Sequence, residues 1–189
     1  MASITLERKP MFDADMNSIN GHLIEEALEL CIVSIAIPVG EHAAFSDAFN
    51  KAFDTLPPKV GQICTSSDKM IRFLGISPDQ MLTLVTGSEQ DGIDFIGSQL
   101  QYSCYYTRQT DNWCTLRVSG PKVRDALERI CPVDLDPRQF SEQQVARTMM
   151  EHLTTIIMRD GEQRFLLLSG SSGASCFLHA IETSIRNVS

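Results

Sequence analysis

Leu116-Arg-Val-Ser-Gly-Pro-Lys-Val-Arg-Asp-Ala-Leu-Glu-Arg-Ile-Cys-Pro-Val-Asp-Leu-Asp-Pro-Arg-Gln-Phe140 carries, in order, the signals of a strand, a turn, a short helix and a connector. In Leu116-Arg-Val118 a charged residue separates two apolar ones, the period of a half-buried strand. Pro121 suits the start of a helix, where its missing amide donor costs nothing. Pro132 stops that helix, so the spacing predicts it over residues 122–130. Asp134, Asp136 and Pro137 form a turn-rich connector that ends on the aromatic Phe140.

The same order of features occurs earlier in the chain. Pro38 and Pro121 each end an apolar strand and stand 83 positions apart. So do Gly87 and Gly170, Cys31 and Cys114, Thr65 and Thr148, Leu84 and Leu167, and Ser88 and Ser171. The apolar pattern repeats at that separation, pairing Val33 with Leu116, Ile35 with Val118, Phe73 with Ile156, Leu82 with Phe165 and Phe95 with Leu178. Each half therefore predicts a strand, a helix, two or three further strands and a closing helix.

In the first half the helix falls over 41–53, the strands near 63–65, 70–74 and 81–86, and the closing helix near 92–99. In the second half the strands fall near 145–150, 153–159 and 164–169, with a hairpin turn at Asp160-Gly161. The closing helix covers about 174–186. Residues 102–108 read as an extra linking strand. This pattern is that of an α+β protein: two similar halves, about 30–100 and 113–187, of mostly antiparallel sheet covered by helices. Residues 21–189 then form one domain, and residues 1–20, which have no convincing period, form an N-terminal arm.

Composition narrows the function classes. The chain of 189 residues is 43% hydrophobic and 21% charged, as a globular protein requires. A formal net charge of -8 repels phosphate, so nucleic acid and anionic membrane surfaces are not expected partners. The longest apolar run, Leu30-Cys-Ile-Val-Ser-Ile-Ala-Ile37, is far short of the ~20 residues that span a bilayer. The N-terminus lacks the apolar stretch of a signal peptide, so the expectation is a cytoplasmic protein. Six cysteines, none in a Cys-x-x-Cys pair, read as buried thiols rather than disulfides.

Several groupings could carry chemistry, and each has a plain structural reading beside it. Gly170-Ser-Ser-Gly173 opens a helix and could hold an anion, but a cap by Ser171 or Ser172 is the better reading. Cys176 and His179 share a helix face at a spacing that suits metal ligands, yet apolar neighbours favour a packing role. His152 beside Glu151 reads as a solvated pair at a strand start. His22 and His42 have no sequence partner that suggests chemistry. Asp134 and Asp136 could hold a cation or transfer protons, and also suit a turn. Tyr102, Tyr105, Tyr106 and Trp113 cluster all of the chain's tyrosine with its one tryptophan. Such residues make an interface hot spot or a cross-strand core cluster. No dinucleotide fingerprint, metal cluster or catalytic triad is legible in the sequence.

The quoted stretch resembles the gamma subunit of heterotetrameric sarcosine oxidase. The resemblance covers roughly residues 25–187 and is strongest from Trp113 to Thr148. It rests there on Ser119-Gly-Pro121, Cys131-Pro-Val-Asp-Leu135, Phe140 and Ala146-Arg-Thr148. Leu56-Pro-Pro58 and Phe73-Leu-Gly-Ile-Ser-Pro-Asp-Gln-Met-Leu82 add a second segment. There Ile76 and Ser77 lengthen the family's turn, and Gln80 and Met81 replace its Glu and Trp. The resemblance implies a fold related to the folate-binding region of glycine-cleavage T-protein. It implies a non-catalytic gamma subunit packing on alpha, in an assembly with beta and delta that oxidises sarcosine to glycine with tetrahydrofolate as one-carbon acceptor. It places FAD, FMN, NAD and folate on the alpha and beta chains and zinc on delta, with no cofactor and no catalytic residue on this chain. Two alternatives stand. One is a gamma-like subunit of a related secondary-amine oxidase or dehydrogenase. The other is a free-standing folate-binding protein drawing on Arg124, Arg147 or Asp134.

Overall fold

Alternating burial is almost absent from the central strands, and that absence reveals the layering. The computed structural model describes residues 9–12, 17–67, 70–87, 89–101 and 103–188. In chain order the elements are β1 (Asn17–Ile19), β2 (His22–Glu26), β3 (Leu30–Ala36), α1 (His42–Phe53), β4 (Ile63–Thr65), β5 (Ile71–Ser77), β6 (Gln80–Thr86) and α2 (Glu89–Leu100). They continue with β7 (Tyr105–Arg108), β8 (Trp113–Ser119), α3 (Val123–Glu128), β9 (Val145–Met150), β10 (Leu153–Gly161), β11 (Arg164–Gly170) and α4 (Ala174–Val188). All strand pairs are antiparallel, in two sheets ordered β4-β5-β6-β3-β7 and β9-β10-β11-β8-β2-β1.

The two sheets face one another. Ile32, Leu74, Leu82 and Leu84 of the first pack against Ile156, Met158, Leu166 and Leu168 of the second. Helices α1 and α2 cover the outer face of the first sheet over Val33, Ile35 and Phe73. Helices α3 and α4 cover the second over Leu116, Val118 and Ile157. With apolar layers on both sides, β6 and β11 are buried at five consecutive positions.

The helices follow from local sequence. Phe45, Phe49 and Phe53 recur every four residues, so one face of α1 is aromatic and buried. Phe49 stands edge-on to Phe73 at 4.7 Å between ring centres, and Phe53 lies 4.6 Å from the same ring. Each buried ring contributes about 2–3 kcal/mol by leaving water. Asp54 ends the helix in a left-handed conformation, donating its N–H to Asn50 O. In α4 the same spacing places Phe177, Ile181 and Ile185 inward.

The internal correspondence holds with a one-residue correction. Cys31, Val33 and Ile35 match Cys114, Leu116 and Val118 at 83 positions, on the same sheet face. The hairpin pairs differ. Phe73 pairs with Thr83, and Ile157 pairs with Leu167, a separation of 84. The bulges at Gly75/Ser77 and Arg159/Gly161 agree with that value. Matching Phe73 to Ile156, Leu82 to Phe165 or Leu84 to Leu167 therefore joins residues on opposite faces. One slipped residue inverts a strand, and double-sided burial hides the slip in the sequence.

Other boundaries differ for identifiable reasons. The bulge extends β10 through Gly161, so the hairpin turn is Glu162-Gln163 rather than Asp160-Gly161. Helix α3 is shorter than residues 122–130. Glu151 and His152 form the two-residue turn joining β9 and β10, both at positive φ, instead of starting a strand. Strand β2 has no counterpart among the expected elements. Its buried positions do alternate, but one of them is His22, which masks the apolar period. Within the expected arm, Asn17–Ile19 is the strand β1, while residues 1–8 and 13–16 lie outside the described residues, as does Ser88.

No disulfide joins the six cysteines. Burial pushes the Cys64 and Cys104 thiols up to about 11 and Cys114 up to about 12. Cys176 alone is exposed. A thiol reagent at pH 8 should therefore label one cysteine in the native protein and six after denaturation. The raised thiols favour the neutral form in the fold. Their stabilisation is complete below the ordinary value of 9.0 and is lost as pH rises through 11 to 12. Denaturant titrations should show stability falling progressively above pH 9 from this source.

Candidate functional site

The connector that follows α3 is held by a buried arginine that no local pattern announces. Arg159 on β10 is 6% exposed and donates to the backbone carbonyls of Leu135, Phe140 and Glu162. Its guanidinium lies 4.7 Å from the centre of the Phe165 ring. Burial lowers its proton affinity below that of an ordinary arginine. The fork of donors pins Leu135 and Phe140 into the core beneath the connector.

Asp134 and Asp136 shape this same loop. The Asp134 carboxylate accepts the Asp136 N–H at 2.9 Å, and Asp136 accepts the Arg138 N–H at 2.9 Å. The Arg138 guanidinium, hydrogen-bonded to Asp136, takes that carboxyl down to about 2. Both carboxylates are spent on turn geometry.

Ser119-Gly-Pro121 is fixed by His22. The His22 ring accepts the Lys122 N–H at Nε2, 3.3 Å away, so its ring proton sits on Nδ1, 3.3 Å from Ile19 O. Gly120 has φ +145, and a Cβ there would fall 2.5 Å from the His22 ring.

The sheets are joined at one end by ions. Asp160 of β10 accepts from Arg72 of β5 at 2.7 Å and from Arg117 of β8 at 2.9 Å. Arg117 also pairs with Glu29 at 2.7 Å. A cleft of about 610 Å³ opens beside these arginines, lined also by Ser66, Ser67 and Thr86. The Asp160 side chain is 13% exposed, so Asp160→Asn should cost about 2 kcal/mol, because Arg72 loses this carboxylate and Arg117 is left with Glu29. Chemical denaturation checks this, with the 86%-exposed Arg138→Ala as a near-neutral control.

The other nominated residues are dispersed. Cys176 and His179 line a groove of about 570 Å³ between α3 and α4, with Arg129 and Glu151 on its rim. Among the described residues no group of three or more His, Cys, Asp or Glu could hold a metal ion. Ser171-Ser-Gly173 forms a single 3-10 turn running into α4, with no side-chain cap at Gly170. His42 borders a pocket of about 260 Å³ lined by Leu56, Pro57, Pro58 and Pro78. Arg124 lies on α3, outside the second sheet, bridging to Glu128 and Asp136. Arg147, by strand alternation with Val145, points to the other face of that sheet. Arg124, Arg147 and Asp134 thus do not converge on one cleft.

The aromatic group divides. Tyr105 and Tyr106 lie on β7, the edge strand of the first sheet, and are 70% and 38% exposed. Trp113 starts β8 in the other sheet, half-buried against the core between the sheets. Tyr102 lies outside the described residues. Further exposed apolar side chains are Val39, Leu56 and Val60. No helix among the described residues is long and apolar enough to cross a membrane.

No protein-family model matches the chain. Among curated proteins it is 24% identical over 140 residues to sarcosine oxidase subunit gamma of Corynebacterium sp. (strain P-1), covering 74% of this chain and 67% of that protein. It is 27% identical over 140 residues to the subunit of the same name from Corynebacterium sp. (strain U-96), covering 73% and 65%. The chain thus spans about two thirds of the length of these relatives. Among solved structures it matches heterotetrameric sarcosine oxidase from Corynebacterium sp. U-96, with a TM-score of 0.75 and 21% identity over 94% of this chain and 90% of the matched one. Glycine cleavage system aminomethyltransferase T from Bartonella henselae matches with a TM-score of 0.63 and 11% identity, over 85% of this chain and 45% of that one. The chain is similar in sequence to sarcosine oxidase gamma subunits, and its α+β fold is shared with that oxidase and with the T-protein.

Proposed function

We propose that this chain is a non-catalytic, gamma-type subunit of a heterotetrameric sarcosine oxidase and that it packs against the alpha subunit. The observation that carries this reading is the likeness, over about three quarters of the chain, to proteins named sarcosine oxidase subunit gamma. The residues of the quoted stretch support it, because they serve shape. Gly120 admits the His22 ring, Leu135 and Phe140 fill the core, and Asp134 and Asp136 form turns. In this reading the chain contributes a rigid surface. FAD, FMN, NAD, tetrahydrofolate and zinc belong to the partner subunits, and the one-carbon chemistry takes place there.

Co-expression with the alpha, beta and delta chains of the same organism tests the proposal. The expected result is a stoichiometric complex that oxidises sarcosine, and loss of assembly when this chain is omitted. A permanent interface of this kind buries more than about 2,000 Å². The isolated chain should therefore aggregate through apolar surface such as Val39 and Leu56. A monodisperse monomer that ignores the alpha chain overturns the reading, as does amine turnover by the purified chain alone. Calorimetric titration with tetrahydrofolate separates the free-standing folate-binding alternative, which requires micromolar affinity in the isolated chain.

A further inference from the structure

Asn20-Gly21 is the one asparagine–glycine step in the sequence; Asn17, Asn50, Asn112 and Asn187 precede Ser, Lys, Trp and Val. It forms the whole two-residue turn between β1 and β2, where Ile19 pairs with His22. Asn20 has φ 49 and Gly21 has φ 81, the positive pair that defines a type I′ hairpin turn. In such a turn Ile19 O accepts from the His22 N–H, so the Gly21 N–H takes no part in the bond that closes it. Both turn residues are exposed, and a Cβ on Gly21 would meet nothing within 4 Å among the described residues. A backbone amide open to solvent thus follows directly after a side-chain amide, with no Cβ to crowd its approach.

We infer that Asn20 is a site of spontaneous covalent modification, and that its conversion to isoaspartate releases β1 from the sheet. The Gly21 amide nitrogen gives up its proton to hydroxide and attacks Cγ of Asn20. The N–Cγ bond forms, Nδ2 takes a proton from water, and the Cγ–Nδ2 bond breaks to release ammonia. Water then opens the five-membered imide. Breaking its bond to the Asn20 backbone carbonyl carbon gives isoaspartate, and breaking the new N–Cγ bond gives aspartate. The sum converts asparagine and water to an acid and ammonia, with no change of oxidation state.

The native turn holds this reaction back. Ring closure needs Cβ of Asn20 and N of Gly21 on the same side of the Asn20 Cα–C bond, and a left-handed residue places them on opposite sides. The turn must therefore open before the ring can form. Opening is local, because β1 has three residues and lies at the edge of its sheet. Isoaspartate then adds a methylene to the main chain inside a turn whose length sets the register, so β1 cannot return to its place. The loss spreads inward. Ile19 O is the partner of His22 Nδ1, and His22 Nε2 holds the Lys122 N–H that fixes the Ser119-Gly-Pro121 turn. Ala27 donates its N–H to Thr115 O, so by alternation Leu23 faces β8 while Ile24 faces β1.

Peptide mapping of the full chain, purified with any subunits that assemble with it and held in mildly alkaline buffer at body temperature, tests the inference. Residue 20 should gain the mass of deamidation about tenfold faster than any other asparagine, mostly as isoaspartate, and faster again in unfolding urea. Equal rates at Asn20 and the other asparagines overturn the site. A rate that urea does not raise overturns the protection by the turn. Amide hydrogen exchange reads the consequence. In the isoaspartate form the Ile24 and Lys122 amides should exchange about tenfold faster, while the Leu23 amide, bonded to β8, stays slow. Asn20→Asp carries the same charge on a normal main chain and should keep Ile24 slow. Slow Ile24 exchange in the isoaspartate form overturns the release of β1. Fast Ile24 exchange in Asn20→Asp assigns the effect to charge and overturns the role of the added methylene.

Discussion

Gly75→Ala is expected to destabilise the protein by about 4 kcal/mol, the cost of forcing a methyl group into closely packed backbone. A Cβ at Gly75 would fall 2.2 Å from Lys59 O, 2.7 Å from Lys59 C and 3.0 Å from Pro58 O. All three are backbone atoms, so no side chain can rotate out of the way. The loop is also held from both sides: Gly61 donates to Gly75 O at 2.8 Å, and Gly75 donates to Gln62 O at 3.0 Å. Moving the loop would disturb β4 and the contact of Gln62 with Gln144, which links this half to the other. For a chain of this size the melting temperature should fall by about 10 °C. Gly170→Ala is the control, since a Cβ there meets only Ser172 Oγ at 4.0 Å. A thermal melt that does not distinguish the two variants would mean that the loop over Gly75 is loosely packed.

Arg159→Leu should cost about 3 kcal/mol, although it places an apolar side chain in a buried position. The loss comes from the acceptors left behind. Leu135 O, Phe140 O and Glu162 O would each lose a donor, two of them in the interior. Arg159→Lys should recover less than half of that loss, because one ammonium cannot serve three diverging carbonyls. Chemical denaturation measures both. The Leu variant should also increase proteolysis within residues 132–142, where the connector loses its anchor. A lysine variant as stable as the parent would show that charge rather than the fork of donors holds the loop.

The sequence was legible wherever one short segment carries its own signal. Phe45, Phe49 and Phe53 announce the buried face of α1 without reference to anything distant. Pro121 and Pro132 bracket α3, and the strands of the second half fall within two residues of their expected ends. Failures occur where a signal needs a partner. His22 looked isolated because the group that explains it, the Lys122 amide, lies 100 residues away. Arg159 carries no local signal of its role because its acceptors are carbonyls 19 and 24 residues earlier. Arg72 and Arg117 give no sign of Asp160, which lies 88 and 43 residues from them. Tyr105, Tyr106 and Trp113 are close in the chain but lie on different sheets.

Taken alone, the chain's residues determined its element order from β3 onward, its antiparallel halves and a likeness to sarcosine oxidase gamma subunits, because periodicity and turn chemistry act over a few neighbours. The facing of the strands was left to the tertiary structure. A sheet covered on both sides is apolar at odd and even positions alike, so alternation no longer reports which residue faces which layer. Pairing across the two sheets, and the presence of β1 on one edge but no described strand on the other, settle at distances that no local pattern encodes.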